Sequence, residues 1–486
     1  MNHDQLGASV GRRPSGGLPE LIQGGMGVGV SNWRLAAAVA DCGQLGVVSG
    51  TALDVLLARR LQDGDADGSL RQAMESFPLP EVAAAVWKRF YRPGGRRPGE
   101  PYRALAMWSR TVSKLRQQTT VLANFVEVFL ARRGRSGPVG INLLTKIQLP
   151  NLASLYGAML AGVDYVLMGA GIPREIPRVL DDLAARRPTA LRLDVEGEAA
   201  EAPDQVTLDP AALGPASSSS LKRPRFLAIV GSNSLASLIT RKSQHPADGL
   251  VIEGAVAGGH NAPPRGAPLR NPRGEPVYGE RDAVDLARIA ELGLPFWLAG
   301  GYGSPEAVAE ARRVGAAGVQ VGTLFAYCRE SGFAPALKQR VLAAAASGEL
   351  DVLTDADASP TGFPFKVVQL EGTLAEERRY RERRRICDLG YLRAIYRKAD
   401  GVGYRCPAEP LEDFVAKGGD ATRTAGRKCL CNALLAAVGH AQLRPGGEAE
   451  LPLLTSGDDL RHIHRFAAGR LEYTAAEVVT YLLGPP

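Results

Sequence analysis

The chain has 486 residues, 45% of them hydrophobic, and a net charge of +7 from 58 Lys and Arg against 51 Asp and Glu. It is too long for one minimal barrel of about 250 residues, and its apolar content is ordinary for a globular protein. Its charge excess is too mild and too scattered for a nucleic-acid partner. No run reaches the roughly 20 apolar residues of a membrane span. Residues 1–17 are polar and Gly/Pro-rich, without the apolar stretch of a signal peptide, so a cytoplasmic protein with a flexible N-terminus and no membrane partner is expected.

In chain order, short apolar runs ending in Gly alternate with amphipathic helices, the pattern of βα units on a parallel sheet. The first run, Leu21 to Met26, leads to a helix with Ser31 at its N-cap. The second, Leu45–Ser49, leads to a helix from about Thr51 to Leu61. Residues 64–114, rich in Pro, Arg and aromatics, break the rhythm as a helical insertion. A long helix near 114–132 precedes the run Val139–Leu144. The fourth run is Tyr165–Met168.

Residues 187–223 interrupt again. They include the low-complexity Ser217–Ser220 and a small hairpin (ALRLDVEG with QVTLD). Then follow Phe226–Val230, Leu250–Glu253, a Gly/Pro-rich loop over 261–280, Phe296–Ala299 and Val319–Val321. Eight such units predict an α/β fold, a closed (β/α)8 TIM barrel over 18–330, where five or six would suggest an open sheet. Residues 331–486 lose the rhythm and are expected as a mostly helical C-terminal extension. The loop at 261–280 and the insertion at 64–114 are expected to cover the barrel mouth.

Six cysteines are present. Cys42 and Cys328 sit in apolar helical contexts and read as buried thiols. Cys387, Cys406, Cys429 and Cys431 lack the paired C-x2-C spacing of a zinc ribbon, so structural thiols and no metal are expected. The arginine-dense run Arg378–Arg385 also holds Glu382 and reads as a solvated helix face, with a docking face for an acidic carrier protein as the functional alternative.

Barrel active sites lie at the C-terminal ends of strands. Those ends carry Gly24-Gly25-Met26, Asn142, Gly169, Glu253 with Gly258-Gly259-His260, Gly300-Gly301 and Gly322-Thr323. Glycine pairs after the seventh and eighth strands let backbone amides approach a phosphate, and that is where barrels recurrently bind one. His260 can exchange a proton near neutral pH and follows two glycines that let its loop approach a ligand.

The stretches IQGGM, GIN, IEGAVAGGH and LAGGYGSPEAVAEARRVGAAGVQVGT together resemble the nitronate monooxygenase (2-nitropropane dioxygenase-like) family, over roughly 18–330. Flavin-dependent enoyl-acyl-carrier-protein reductases share these stretches. The resemblance implies non-covalent FMN, with Gly25 and Met26 against the isoalloxazine and Asn142 hydrogen-bonded to it. It implies that Gly300, Gly301, Gly322 and Thr323 hold the phosphate and that His260 is the catalytic residue. Gly169, Glu253 and Gly259 join the cofactor-binding set, with Glu253 orienting the loop or contacting the flavin.

Two departures stand out: Gly25 replaces the family's usual proline, and the connection after His260 is longer than usual. The first function implied is oxidation of a nitronate or nitroalkane with O2, giving a carbonyl compound and nitrite. The second is NAD(P)H-dependent reduction of an enoyl thioester, with an acyl carrier protein as partner. A flavin-binding subunit without turnover is a third. An inosinate-type dehydrogenase is discarded, because it needs a nucleophilic cysteine in the loop after the sixth strand and none of the six cysteines lies there. A small-molecule or acyl-chain substrate and a homo-oligomer are expected.

Overall fold

Eight parallel strands form the framework: β1 (Leu21–Gln23), β2 (Gly46–Ser49), β3 (Val139–Leu144), β4 (Tyr165–Gly169), β5 (Arg225–Val230), β6 (Gly249–Glu253), β7 (Phe296–Ala299) and β8 (Gly318–Val321). The computed structural model describes residues 17–197, 203–214 and 219–485. The N-terminal segment expected to be flexible lies outside them except for residue 17, as do Ser217 and Ser218 of the low-complexity stretch. Each strand pairs with its sequence neighbour, β8 pairs with β1, and a parallel bridge from Ile22 to Leu45 joins β1 to β2. The result is the (β/α)8 barrel expected.

The strands are near-continuous apolar runs because both faces are buried, as parallel strands require. Ile22, Val47, Leu167, Leu227, Val251 and Trp297 belong to an apolar cluster separate from the main core. The Trp297 indole donates to the Pro19 carbonyl at 2.7 Å and ties down the entry to β1.

The helices depart from expectation in detail. The first spans Trp33–Asp41 and is capped by Asn32, whose side chain accepts from the Leu35 amide. Ser31 instead orders the turn after β1, accepting from the Met26 amide at 2.9 Å and donating to the Gly24 carbonyl at 2.8 Å. The expected hairpin is present as 189–192 against 205–208. The helix after the 261–280 loop is short, Leu286–Ala290.

The 64–114 insertion forms helices Ser69–Glu75 and Pro80–Phe90, which pack on the outer helix Lys114–Arg132. Phe77, Val82, Val86 and Phe90 are buried. That apolar face holds the insertion on the outside of the barrel, and none of its described residues lines the barrel mouth.

The extension roofs the mouth instead. Besides helices it carries two antiparallel hairpins, 351–355 with 365–369 and 394–398 with 401–405. Its last helix, Ala475–Leu483, has a capping box of Thr474 and Glu477. It packs against Trp33–Asp41 and Pro305–Arg313, the helices after β1 and β7. It therefore fills the place of the eighth barrel helix, a role that the four-residue helix Thr323–Ala326 is too short to play.

A buried polar knot joins these layers. Asp54 accepts from Arg116 (2.6 Å) and Thr120 (2.6 Å), and from the Tyr391 hydroxyl of the extension. The Arg116 guanidinium and these hydroxyls hold Asp54 down at about 2 despite burial, which alone would raise it. Among the described residues no helix is long and apolar enough to cross a membrane.

Candidate active site

The C-terminal strand ends open into a cavity of about 470 Å3, within the range of small-molecule and cofactor sites. Gly25, Met26, Asn142, Gly169, Glu253, Gly259, His260, Gly300, Gly301, Gly322 and Thr323 all line it. The sequence-predicted residues are thus brought together without exception. Ala262, Arg265 and Tyr278 of the long loop line it as well, and Phe363, Phe365, Tyr391, Ser456 and Asp459 come from the extension.

On the β1 side, Asn142 donates its side-chain amide to the Gly25 carbonyl at 3.0 Å. A Cβ on Gly25 would lie 2.3 Å from the Asn142 Cβ. The usual proline therefore cannot occupy this position here. The Asn142 Oδ1 and, from β8, the Gln320 Oε1 are buried without a hydrogen-bond partner among the described residues. Buried acceptors are costly when unpaired, so both suit a ligand that brings N–H donors. The fused ring of a flavin does so, and these residues fit it. Gln320 was missed at sequence level because it stands inside the strand, where a polar residue reads as packing.

At the other end, Gly300 and Gly301 both adopt positive φ, 86° and 83°, a conformation that favours glycine. With Gly322 they make a cradle of the kind that accepts phosphate. Thr323 is already engaged: its hydroxyl donates to the Asp459 carboxylate. Asp459 lies on the extension, and burial raises its pKa above the ordinary carboxylate value. A protonated Asp459 is compatible with a phosphate, whereas an ionised one opposes it.

His260 is half-buried. Its Nε2 lies 2.7 Å from the Ser359 Oγ, and its ring meets Phe365 edge-on at 4.8 Å. Backbone bonds from the Lys366 amide to the Gly259 carbonyl (2.9 Å) and from the Asn261 amide to the Pro364 carbonyl (3.0 Å) stitch its loop to the extension. Burial, and secondarily the nearby Lys146 ammonium, push the imidazole down to about 4. The expectation of a near-neutral histidine is corrected: at neutral pH it is uncharged and can take a proton but has almost none to give. Lys146 is itself pushed down to about 8 by burial and lies over the Phe363 ring.

Glu253 faces the same cavity. Its carboxyl has no hydrogen-bond or ion-pair partner among the described residues, and burial pushes it up to about 7. The site thus pairs an uncharged base with a carboxyl that keeps its proton near neutrality. Separated acid and base environments of this kind mark acid–base sites.

Other expectations resolve elsewhere. Cys328 is buried and Cys42 half-buried. Within the arginine run, Arg383 makes a two-pronged pair with Glu450 (2.8 and 2.7 Å), and Arg385 donates to the Thr424 carbonyl at 2.7 Å. These two side chains are spent inside the extension rather than presented as a solvated face.

Residues 209–357 match the family model described as Nitronate monooxygenase. A "Probable nitronate monooxygenase" from Bacillus subtilis (strain 168) is 39% identical over 97 residues, 20% of this chain and 26% of the relative. A (3aS,4S,5R,7aS)-5-hydroxy-7a-methyl-1-oxo-octahydro-1H-indene-4-carboxyl-CoA dehydrogenase from Mycobacterium tuberculosis (strain ATCC 25618 / H37Rv) is 33% identical over 125 residues, 26% of this chain and 30% of the relative. The chain therefore spans under a third of the length of either curated relative.

Two solved structures align over most of both chains. FabK from Thermotoga maritima has a TM-score of 0.46 at 15% identity, covering 96% of this chain and 91% of its own. A nitroalkane oxidase from Streptomyces ansochromogenes has a TM-score of 0.42 at 17% identity, covering 96% and 94%.

Proposed function

We propose that this chain, which carries nitronate monooxygenase family sequence over residues 209–357, is an FMN-dependent oxidoreductase that oxidises a nitronate or nitroalkane with O2. FMN, when bound, supplies the two-electron redox chemistry. Asn142 and Gln320 would meet its ring and the Gly300–Gly301 and Gly322 amides its phosphate.

The observation that carries the reading is His260, held uncharged against Ser359 and facing the same cavity as the glycine cradle. An uncharged imidazole can remove a proton from the carbon beside a nitro group, which is what a nitroalkane needs before oxidation. Ser359 and Phe365 fix the ring, so little reorientation is needed at that step. Ile172 and Val256, both exposed, line the cavity and favour a substrate with an apolar part.

A second reading, NAD(P)H-dependent reduction of an enoyl thioester, is favoured by Glu253. A carboxyl that keeps its proton up to about pH 7 is a proton donor for a developing carbanion. The indene-4-carboxyl-CoA dehydrogenase among the relatives, named for a CoA thioester, is consistent with a thioester substrate.

The test is anaerobic reduction of the FMN-loaded protein, followed by flavin absorbance. Bleaching by propionate-3-nitronate but not by NADPH or NADH is expected. Bleaching by a nicotinamide alone would replace the first reading with the second. A protein that takes up no FMN would end both.

A further inference from the structure

Another cavity, of about 240 Å3, lies in the extension between the segment 384–387, Arg393 and the short helix Leu411–Ala416. None of its lining residues belongs to the barrel-mouth cavity. Four cations border it, Arg384, Arg385, Arg393 and Lys417, against two carboxylates, Glu409 and Asp413. Glu409 is already paired with Lys417 at 2.7 Å. Arg384 is exposed and has no hydrogen-bond or ion-pair partner among the described residues. The cavity therefore holds an excess of positive charge, with one guanidinium free to meet an anion.

Cys387 stands in the wall of this cavity, half-buried. It also lines a much smaller void of about 10 Å3, which Cys406, Cys429 and Cys431 share. Around a space that small the four residues are close neighbours. Cys387 precedes the 394–398 strand, and Cys406 directly follows its antiparallel partner, 401–405, whose Arg405 pairs with Ala394. Within the group the Cys406 thiol donates to the Cys387 sulfur. That hydrogen bond, helped by the Arg393 guanidinium, holds the Cys387 thiol below its ordinary value, against burial and the charges of Glu409 and Asp388. Cys406 is pushed up in turn. Burial pushes Cys429 and Cys431 up as well. Cys387 is thus reachable through a charged cavity and is the readiest of the four to ionise. A buried thiol stands behind it, the arrangement of a reactive cysteine with a resolving partner.

We propose that Cys387 and Cys406 form a dithiol site that exchanges with the disulfide of a small carboxylate-bearing thiol, drawn into the cationic cavity by Arg384 and its neighbours. The Cys387 thiolate attacks one sulfur of that disulfide. Its S–S bond breaks, the first small thiolate leaves and takes up a proton, and Cys387 stays joined to the other half. Cys387 has then lost the charge that held the proton on Cys406. Cys406 ionises and attacks the Cys387 sulfur, the mixed S–S bond breaks, and the second small thiol leaves with that proton. The protein dithiol is oxidised by two electrons and the small disulfide is reduced to two thiols, with no further reactant.

Sequence spacing reads these cysteines as structural thiols. It cannot show that one of them borders a charged cavity while its neighbour is buried behind it.

The reduced full-length protein is incubated without air with oxidised glutathione, the carboxylate-bearing probe, or with cystamine, a cationic counterpart. Released thiol is measured and modified cysteines are mapped by mass spectrometry. Each rate is divided by that of the urea-unfolded chain, which removes the intrinsic reactivity of the probe. Oxidised glutathione should react first at Cys387, release two thiols per chain and leave a Cys387–Cys406 disulfide. After normalisation it should outpace cystamine about tenfold, an advantage that high salt erodes. Cys406→Ser should stop at the mixed disulfide on Cys387, and Cys387→Ser should lose the fast reaction. Arg384→Gln should slow glutathione severalfold without slowing cystamine. Should a cysteine variant fail to fold, the wild-type peptide map decides alone, since it shows which thiol is taken first and which pair closes. First attack at Cys42 or Cys431, a mixed disulfide on Cys387 that never passes to Cys406, or cystamine keeping pace with glutathione would each overturn the proposal.

Discussion

Thr323, at the end of β8, gives its hydroxyl hydrogen to Asp459, a residue 136 positions later on the C-terminal extension. A side chain expected to bind phosphate is thereby tied to a carboxyl, and phosphate affinity becomes linked to that carboxyl's proton. Burial raises the Asp459 pKa. Below the raised value Asp459 is neutral and tolerates a phosphate, and above it the two repel. FMN should bind more weakly as pH rises through that range. Asp459→Asn should bind FMN about tenfold more tightly at neutral pH, a gain of about 1.4 kcal/mol, and lose the pH dependence. Titration of apoprotein with FMN at several pH values checks both.

His260→Gln should retain FMN and lower turnover on a neutral nitroalkane by roughly a hundredfold or more, the usual worth of a positioned base. In the wild type, kcat/KM should fall only as pH drops toward about 4, well below the ordinary imidazole value. Lys146→Met removes a positive charge that opposes protonation, so the acid limb should move upward. The shift should be small, because burial is the larger cause. Steady-state rates across pH measure each limb.

Gly25→Ala should abolish or sharply weaken FMN binding while the barrel still folds. The added methyl would sit 2.3 Å from the Asn142 Cβ, forcing Asn142 to move. Flavin content after reconstitution, with circular dichroism as the folding control, reads this out.

Asp54→Asn should cost about 3–5 kcal/mol, because it strands the buried Arg116 guanidinium. The pH sign follows from the low folded value. A carboxylate at about 2 in the fold, against about 3.9 when unfolded, stabilises fully above the latter and loses its contribution as pH falls toward 2. The wild type should therefore destabilise across that window more than the variant. Denaturant midpoints at pH 6 and near pH 3 compare them.

The barrel was legible because each strand is a near-continuous apolar run that ends in, or is followed by, Gly or a polar residue, a signal that needs no tertiary information. The glycine pairs after β7 and β8 were legible for the same reason. The cover of the site was not. Ser359 and Phe365 meet His260 from about 100 residues later in the chain, and Asp459 meets Thr323 from 136 residues later. Nothing in local spacing links them. The histidine's depressed pKa was equally hidden, since it arises from burial beneath the extension. The insertion at 64–114 was placed over the mouth from composition, but its buried aromatics belong to the outer helices.

The helix Ala475–Leu483 stands between the helices that follow β1 and β7, with Ala475, Val478 and Leu482 buried in the main core. A chain made from its N-terminus onward completes its last barrel strand some 150 residues before that helix exists. Throughout that interval the first helix keeps an apolar flank open to water, the kind of surface on which nascent chains aggregate. Closure of the barrel's outer layer thus waits until this helix has been made. A change that displaces this helix acts on the barrel itself rather than on an appendage.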